Sequence, residues 1–294
     1  MMAEREMAHR VFAREFNDSR FQISSSSDVT SQVDLHAPNF LVTTAGAKVN
    51  RLFIAGVITE VEDIGSHKGG EKELWRARVS DPTGTFTVYS GNFQPETSVF
   101  LSTVEVPSFV TIIGKVRSYE PGDGSVFVSL RPEEINHADE NTRNRWMVDT
   151  AELTLDRLDV FEEALSSGLS GMELFDHLSL KNVPSHIAEG VCMALDFYRT
   201  DRSYIQGMRE HIRDALLSIE SSLSAVSADL FDTEEFIMDL LQEMNGGKGM
   251  EYTEILRQAG SKNIPAGSVE KTVRSLLSEG HIYEPKVGFF RAIV

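Results

Sequence analysis

Residues 74–91 read LWRARVSDPTGTFTVYSG, and this stretch decides the fold class. Apolar and polar residues alternate on both sides of the DPTG tetrapeptide at 81–84, which is typical of two half-buried strands joined by a tight turn. Side chains alternate across a strand, so each strand has two different faces. The faces of the first strand carry an apolar set and a basic set: Trp75, Ala77 and Val79 against Arg76 and Arg78. The stretch therefore predicts a β-hairpin with one basic face.

The same period of two recurs in five runs that are rich in β-branched and aromatic residues: 51–61, 73–80, 85–91, 109–119 and 125–131. A segment of helical character at 94–103 separates the third run from the fourth. Five strands with a helix between the third and fourth form the plan of an OB-fold barrel. Gly56 and Gly114 fall inside the first and fourth strands, where barrel strands bend.

The N-terminal segment, residues 1–47, predicts a helix followed by a flexible linker. The helix covers residues 3–16 and places Met7, Val11 and Phe12 on one side. The polar linker covers residues 22–34 and contains four consecutive serines. Such a helix is either a brace for the neighbouring domain or a docking peptide, and the sequence leaves both open.

Residues 138–228 show a helical pattern without strand-forming runs. An apolar stripe is formed by Leu153, Leu155, Leu158, Phe161 and Leu165. This segment holds 8 basic against 16 acidic residues, so we interpret it as an acidic helical connector.

The last segment, residues 229–294, has a different pattern of predicted elements. Asp232 with Glu235 predicts a capping box that opens a helix, and a second short helix follows. Ser268 caps a third helix that ends at Gly280, before two short strands. Three helices and a β-hairpin predict a winged helix. The predicted fold is therefore an α+β multidomain chain: an OB-fold barrel at 48–137, a helical middle segment and a C-terminal winged helix.

Composition narrows the function classes. The net charge is −17, whereas proteins that grip duplex DNA usually carry a basic surplus, so any contact with nucleic acid must be local. The acidic middle segment would repel DNA or suit a basic protein partner. No apolar run reaches the ~18 residues of a membrane span, and the N-terminus lacks a signal-peptide pattern. We therefore expect a cytoplasmic protein without a membrane partner.

Sequence signals for covalent chemistry and metal binding are missing. Cys192 is the single cysteine, which predicts a buried thiol and neither a disulfide nor a thiolate zinc cage. The glycine-rich residues 246–249 lack Walker A spacing, and the eight histidines show no ligand spacing. We expect no enzyme, no cofactor and no metal site.

A candidate nucleic-acid surface follows from the second face of the predicted strands. It combines cations with aromatic rings: Arg76, Arg78, Tyr89, Lys115, Arg117, Tyr119, Phe127 and Arg131. Cations that follow a phosphate backbone, interleaved with rings that stack on bases, are what single-strand binding requires. Most carboxylates of this domain, Glu60 and Glu62 included, are expected in loops and at strand ends, which leaves the strand face itself basic. Four phosphate contacts would give a salt slope of about −3.

Two interpretations of this surface without nucleic-acid binding stay open. The cations are also compatible with the ordinary solvated face of a half-buried sheet, and the terminal segments could fold over the rings. In the predicted winged helix, the surface cations are Lys271, Arg274, Lys286 and Arg291. Neighbouring carboxylates favour protein docking there over duplex recognition.

Several stretches resemble known families. WRARV at 75–79, followed by DPTGTF at 81–86, resembles the strand–turn–strand of archaeal replication protein A OB domains. RVFAREFNDS at 10–19, APNF at 37–40 and NRLF at 50–53 resemble archaeal proteins associated with replication protein A, over roughly residues 5–165 and more loosely to the end. GHIYEP at 280–285 with GFF at 288–290 resembles the wing of the winged helix that closes archaeal minichromosome maintenance helicases.

The resemblance implies a partnership with an archaeal single-stranded-DNA-binding subunit and a role in DNA replication and repair. Archaeal replication protein A subunits often carry a zinc finger, which a chain with one cysteine cannot form. The expected function is therefore an accessory subunit that contacts single-stranded DNA through its OB domain and docks other replication or repair proteins through its winged helix. The alternative is a scaffold whose OB face binds the partner subunit and no DNA, and a hydrolase is the remote third possibility.

Overall fold

The chain divides into two units, Met1–Leu217 and Ser218–Val294, in the computed structural model. The structure describes residues 7–24, 39–65, 74–243, 249–262 and 264–293, without the side chains of 220–232 and 243. In this described part, no helix has both the length and the hydropathy needed to cross a bilayer.

The N-terminal segment packs into the first unit. It forms helix α1 (Ala13–Asn17) and a three-stranded sheet of β1 (Phe21–Ser24), β2 (Asn39–Val42) and β3 (Lys48–Val49). Residues 7–12 are not helical, because the backbone of His9 hydrogen-bonds to Arg51 and Phe53 instead. Phe12 and Phe16 are fully buried, so this segment braces its own chain. Of the linker expected at 22–34, residues 25–34 lie outside the described residues, and the linker prediction is wrong for residues 22–24, which belong to β1.

A closed five-stranded barrel follows. Its elements are β4 (Arg51–Asp63), β5 (Leu74–Asp81), β6 (Gly84–Gly91), helix α2 (Pro95–Thr103), β7 (Ser108–Tyr119) and β8 (Phe127–His137). The strand order is β4-β5-β6-β8-β7, with β7 pairing back to β4. This order, with the helix between the third and fourth strands, is the OB-fold arrangement that the period-two runs predict. The five-strand barrel prediction is confirmed.

The two glycines inside strands lie where barrel backbones approach each other closely. A Cβ on Gly56 would lie 2.5 Å from the carbonyl oxygen of Ser80, and one on Gly114 would lie 2.7 Å from that of Arg131. Any side chain at either position would force two strands apart.

Three helices continue the first unit: α3 (Glu140–Ser167), α4 (Gly171–Leu180) and α5 (Ser185–Tyr198). Leu158 and Phe161 of the expected apolar stripe are fully buried, whereas Leu153 is 44% exposed. The buried stripe of α3 instead includes Thr154 and Arg157. The apolar pattern thus misplaces the stripe because a charged residue occupies part of the packed face.

Arg157 is buried because it completes a polar cluster with the N-terminal segment. Its Nη2 atom donates to both carboxylate oxygens of Glu15 at 3.0 and 2.9 Å, and its Nε atom donates to the carbonyl of Ala45. Thr43 Oγ1 donates to the same carboxylate at 2.6 Å. The Glu15 side chain is 0% exposed, so every charge in this cluster is satisfied by protein groups.

Helix α6 (Arg202–Glu243) spans the unit boundary, and the remaining elements belong to the second unit. They are β9 (Met250–Glu251), α7 (Tyr252–Ser261), α8 (Ala266–Glu279), β10 (Ile282–Lys286) and β11 (Phe289–Ala292). The sheet order is β10-β11-β9, and the second unit has its own apolar core around Ile255 and Leu276. The helix start expected at Asp232 is wrong, because α6 runs through this residue without a break.

Candidate nucleic-acid interface

The eight residues of the predicted surface lie on four adjacent barrel strands. They are Arg76 and Arg78 on β5, Tyr89 on β6, Lys115, Arg117 and Tyr119 on β7, and Phe127 and Arg131 on β8. The core-facing residues between them, such as Ala77, Val88 and Leu130, are fully buried. Strand alternation therefore directs all eight side chains away from the core. We call these eight residues the barrel face.

The hairpin of β7 and β8 carries exposed rings and exposed cations together. Tyr119 lies directly opposite Phe127, and Lys115 lies opposite Arg131. The rings are 67% and 60% exposed, so the described residues of the N-terminal segment do not cover them. Directly opposite residues share one face of an antiparallel pair, which places rings and cations side by side.

The cations of this hairpin differ from those of β5 in their surroundings. Among the described residues, no Asp or Glu lies within ion-pair distance of Lys115, Arg117 or Arg131. Burial and the neighbouring charge of Arg131 lower the pKa of Arg117. Two adjacent guanidinium groups that meet no counter-charge in the described part of the chain form a site that favours an anion.

The β5 part of the barrel face is different, because each of its arginines is paired with a carboxylate on β4. Arg76 lies 2.6 Å from Glu62, and Arg78 lies 3.2 Å from Glu60. The charge and hydrogen bond of Glu62 raise the pKa of Arg76. A hydrogen bond with Glu60, together with the charge of Arg76, lowers the pKa of Glu62. Both carboxylates lie in the paired part of β4, so the expectation that the strand face is free of them is wrong.

A β-bulge in β4 explains why the sequence pattern missed this pairing. Ile58 faces the core opposite Val79, and strict alternation would turn Glu60 and Glu62 inward as well. The register shifts between Ile58 and Glu60, so that Glu60 lies opposite Arg78 and Glu62 opposite Arg76. The extra residue, Thr59, reverses the faces of the strand beyond it.

The DPTG turn at 81–84 contacts the N-terminal segment. The Asp81 carboxylate accepts hydrogen bonds from the backbone N–H of Ala13 at 2.7 Å and of Thr83 at 2.7 Å. Burial raises the pKa of Asp81 above its ordinary value, and the hydrogen bonds offset only part of this rise. This turn therefore holds α1 against the barrel and has a structural role separate from the barrel face.

In the second unit, the four candidate cations lie on one helix and two strands. Lys271 and Arg274 are exposed on α8, Lys286 lies on β10 and Arg291 on β11. Arg274 pairs with Glu270 at 2.8 Å, and the Lys286 ammonium lies 5.1 Å from the centre of the Phe289 ring. These two cations are thus less available to phosphates than those of the β7–β8 hairpin.

The second unit also contains a shallow apolar groove of about 240 Å³. Its walls are Tyr252, Val273, Leu277 and Phe290, and Glu270 with Arg274 lies at its rim. An apolar floor with a charged rim suits a protein segment better than a phosphate backbone.

One group of possible metal ligands occurs among the described residues. Single ligand atoms of Glu234, Glu279 and His281 all lie within 4.8 Å of one another. Two of the three side chains are exposed, and exposed acidic groups are common without a metal. The sequence did not indicate this group because Glu234 is distant from the other two along the chain. The absence of a metal site stays a prediction.

Comparison with known proteins gives one family match. The model of the family "Replication protein A C terminal" matches residues 208–285, which include all of α7 and α8. The comparison with curated proteins gives no match.

Solved structures give partial likenesses. The OBody AM2EP06 bound to hen egg-white lysozyme is 19% identical and covers 30% of this chain and 80% of its own, with a TM-score of 0.25. The second single-stranded DNA-binding protein of Mycobacterium smegmatis is 14% identical, covering 31% and 87%, with a TM-score of 0.25. The S. pombe Stn1–Ten1 complex is 17% identical, covering 40% and 82%, with a TM-score of 0.32. Likenesses with TM-scores this low do not indicate a shared function.

Residues 208–285 of this chain are therefore similar to the C-terminal region of replication protein A.

Proposed function

We propose that this chain is an accessory subunit of an archaeal complex resembling replication protein A, and that it binds single-stranded DNA in replication and repair. The observation that carries the proposal is the β7–β8 hairpin, where Lys115, Arg117 and Arg131 lack carboxylate partners among the described residues and lie beside two exposed rings. The family match to the C-terminal region of replication protein A supports the same role.

The chemistry of the hairpin fits a single strand. Unpaired bases stack on aromatic rings, and each stacked base contributes about 1–3 kcal/mol. Tyr119 and Phe127 supply two such rings, and three cations supply phosphate contacts. Duplex DNA hides the faces of its bases, so the rings favour a single strand over a duplex.

Fluorescence anisotropy of a labelled single strand of about 30 nucleotides, at several salt concentrations, tests the cations. Three phosphate contacts at about −0.7 each predict a salt slope of about −2. Arg117→Ala/Arg131→Ala is expected to weaken binding and flatten the slope by about 1.4. Arg145→Ala/Arg213→Ala makes the same charge change at two exposed, ion-paired arginines elsewhere and is expected to leave the slope unchanged.

The ring is tested separately. Phe127→Ala is expected to weaken binding roughly 5- to 100-fold with little change in salt slope, because stacking is the interaction lost. Phe93→Ala removes a ring that is 93% exposed but lies outside the barrel face, and it is the matched control. Equal losses in both variants, or no binding by the folded wild-type protein, would contradict the proposal.

The second unit has a different proposed role. We infer that residues 229–294 form a winged helix that docks replication or repair proteins, and the apolar groove with its charged rim supports this role. Leu277→Ala, which alters the groove wall, is expected to weaken partner binding and to leave DNA affinity unchanged.

A protein-docking scaffold is the second candidate, favoured by the carboxylates that neutralise Arg76 and Arg78. In a scaffold, the exposed rings would pack on the partner subunit. Phe127→Ala would then break the complex, whereas in a DNA-binding subunit it weakens DNA binding and leaves the complex intact.

A further inference from the structure

Two carboxylates lie where the β5 part of the barrel face would otherwise meet phosphates. Glu62 and Glu60 lie directly opposite Arg76 and Arg78, at 2.6 and 3.2 Å between charged atoms. On β7 and β8, the cations of the same face have no carboxylate partner among the described residues. The face is therefore divided into a neutralised part and a basic part.

We propose that Glu60 and Glu62 make the barrel face selective for unpaired bases over the phosphate backbone, because they hold Arg76 and Arg78 away from phosphates. Nucleic acid is then confined to the β7–β8 hairpin, where affinity depends on unpaired bases that stack on Tyr119 and Phe127. This inference rests on the proposed function, since it concerns which part of a nucleic acid the same face binds.

The two ion pairs are placed where a ligand can compete with them. Their side chains are between 34% and 52% exposed, so water reaches each ion pair. Each pair therefore contributes little stabilising free energy. A carboxylate and a phosphate each offer an arginine two anionic acceptor oxygens, so a phosphate gains little by replacing the carboxylate. Removal of the carboxylates would release two arginines for phosphate contacts.

The β-bulge makes this arrangement specific. Without the bulge, the register of β4 would turn Glu60 and Glu62 toward the core, where unpaired carboxylates are unfavourable. With it, both carboxylates lie beside the arginines that share their face. Bulges commonly redirect side chains next to functional sites.

The test uses the full-length protein with Glu60→Gln/Glu62→Gln, which keeps the size of both side chains. Anisotropy with the same labelled single strand is expected to show an affinity about tenfold higher at low salt. Two additional phosphate contacts are expected to change the salt slope from about −2 to about −3.5. An abasic oligonucleotide is expected to gain as much, because the released arginines contact phosphates and not bases.

Two further variants isolate the cause. Asp159→Asn/Glu162→Gln removes two carboxylates from α3, both of them paired with Arg209, and makes the same charge change away from the barrel face. It is expected to alter affinity less than twofold. Combining Arg76→Ala/Arg78→Ala with Glu60→Gln/Glu62→Gln is expected to abolish the gain, because the gain acts through these arginines.

The outcomes separate this inference from the proposed function. Wild-type binding with no gain in Glu60→Gln/Glu62→Gln, or an equal gain in the α3 control, overturns the inference and leaves the proposed function standing. Absence of binding in both proteins overturns both. In the wild-type background, Arg76→Ala/Arg78→Ala should weaken binding less than Arg117→Ala/Arg131→Ala, and the reverse order contradicts the inference without any change to the glutamates.

Discussion

Replacing Gly190 with alanine is expected to destabilise the first unit, although alanine is the better helix former. Gly190 lies in the buried part of α5, and a Cβ on it would lie 1.9 Å from the carbonyl oxygen of Gly46. Real Cβ atoms essentially never come within 3.0 Å of another heavy atom, so the helix or the turn must shift by about 1 Å. The turn has little freedom, because Gly46 has φ of +80° and lies against Val191.

The expected magnitude follows from two opposing terms. Overpacking of this kind costs about 1–3 kcal/mol or more, and the gain in helix propensity offsets about 1 kcal/mol. The 1.9 Å approach places the cost in the upper part of this range, at about 2–3 kcal/mol, so the net loss is about 1–2 kcal/mol. For a unit of this size, this corresponds to a fall in Tm of roughly 2–8 °C.

Urea unfolding followed by circular dichroism, with Tm as a second readout, measures the effect. Gly207→Ala is the matched control, because Gly207 lies in α6 with nothing within 4 Å of a new Cβ. That variant is expected to be more stable than the wild type by up to about 1 kcal/mol. If the two substitutions shift stability in the same direction, the close approach of α5 and the turn at Gly46 is not as described.

Two further stability predictions concern the N-terminal segment. Arg157→Met leaves the buried Glu15 carboxylate without its partner and is expected to cost about 3–5 kcal/mol, whereas Glu15→Leu/Arg157→Met recovers most of this loss. A double-mutant cycle by urea unfolding measures the coupling, and additive effects would contradict the buried pair. Asp81→Ala removes the acceptor for the Ala13 N–H and is expected to cost about 1–2 kcal/mol by the same assay. An unchanged unfolding midpoint would show that the hydrogen bond between the Ala13 N–H and the Asp81 carboxylate contributes nothing to stability.

The strands of the barrel could be predicted because their pattern is local. Alternation in β5 and β7 places Ala77 and Val110 in the core, and Arg78 and Lys115 outside. Neighbouring residues in one strand necessarily point to opposite faces, so the strand pattern alone separates the core from the barrel face. The rings and cations of the candidate site follow from the same rule.

Other features could not be predicted, because they depend on contacts between distant parts of the chain. The burial of Arg157 depends on Glu15, which lies 142 residues away in sequence. The helix expected over 3–16 does not include residues 7–12, because His9 pairs with the start of β4. Local propensity describes neither effect, since tertiary contacts compete with it directly.

The amino-acid sequence by itself determined the five strands, their order along the chain and the outward-facing residues of β5, β6, β7 and β8, because each depends on a periodicity of two. Only the tertiary structure decided which of those outward cations are free. A single extra residue, Thr59, reverses the faces of β4 and brings Glu60 and Glu62 beside Arg78 and Arg76, while Lys115, Arg117 and Arg131 stay unpaired among the described residues. A bulge depends on how two strands pair, and charge balance depends on which strands become neighbours, so neither can be read from one strand alone.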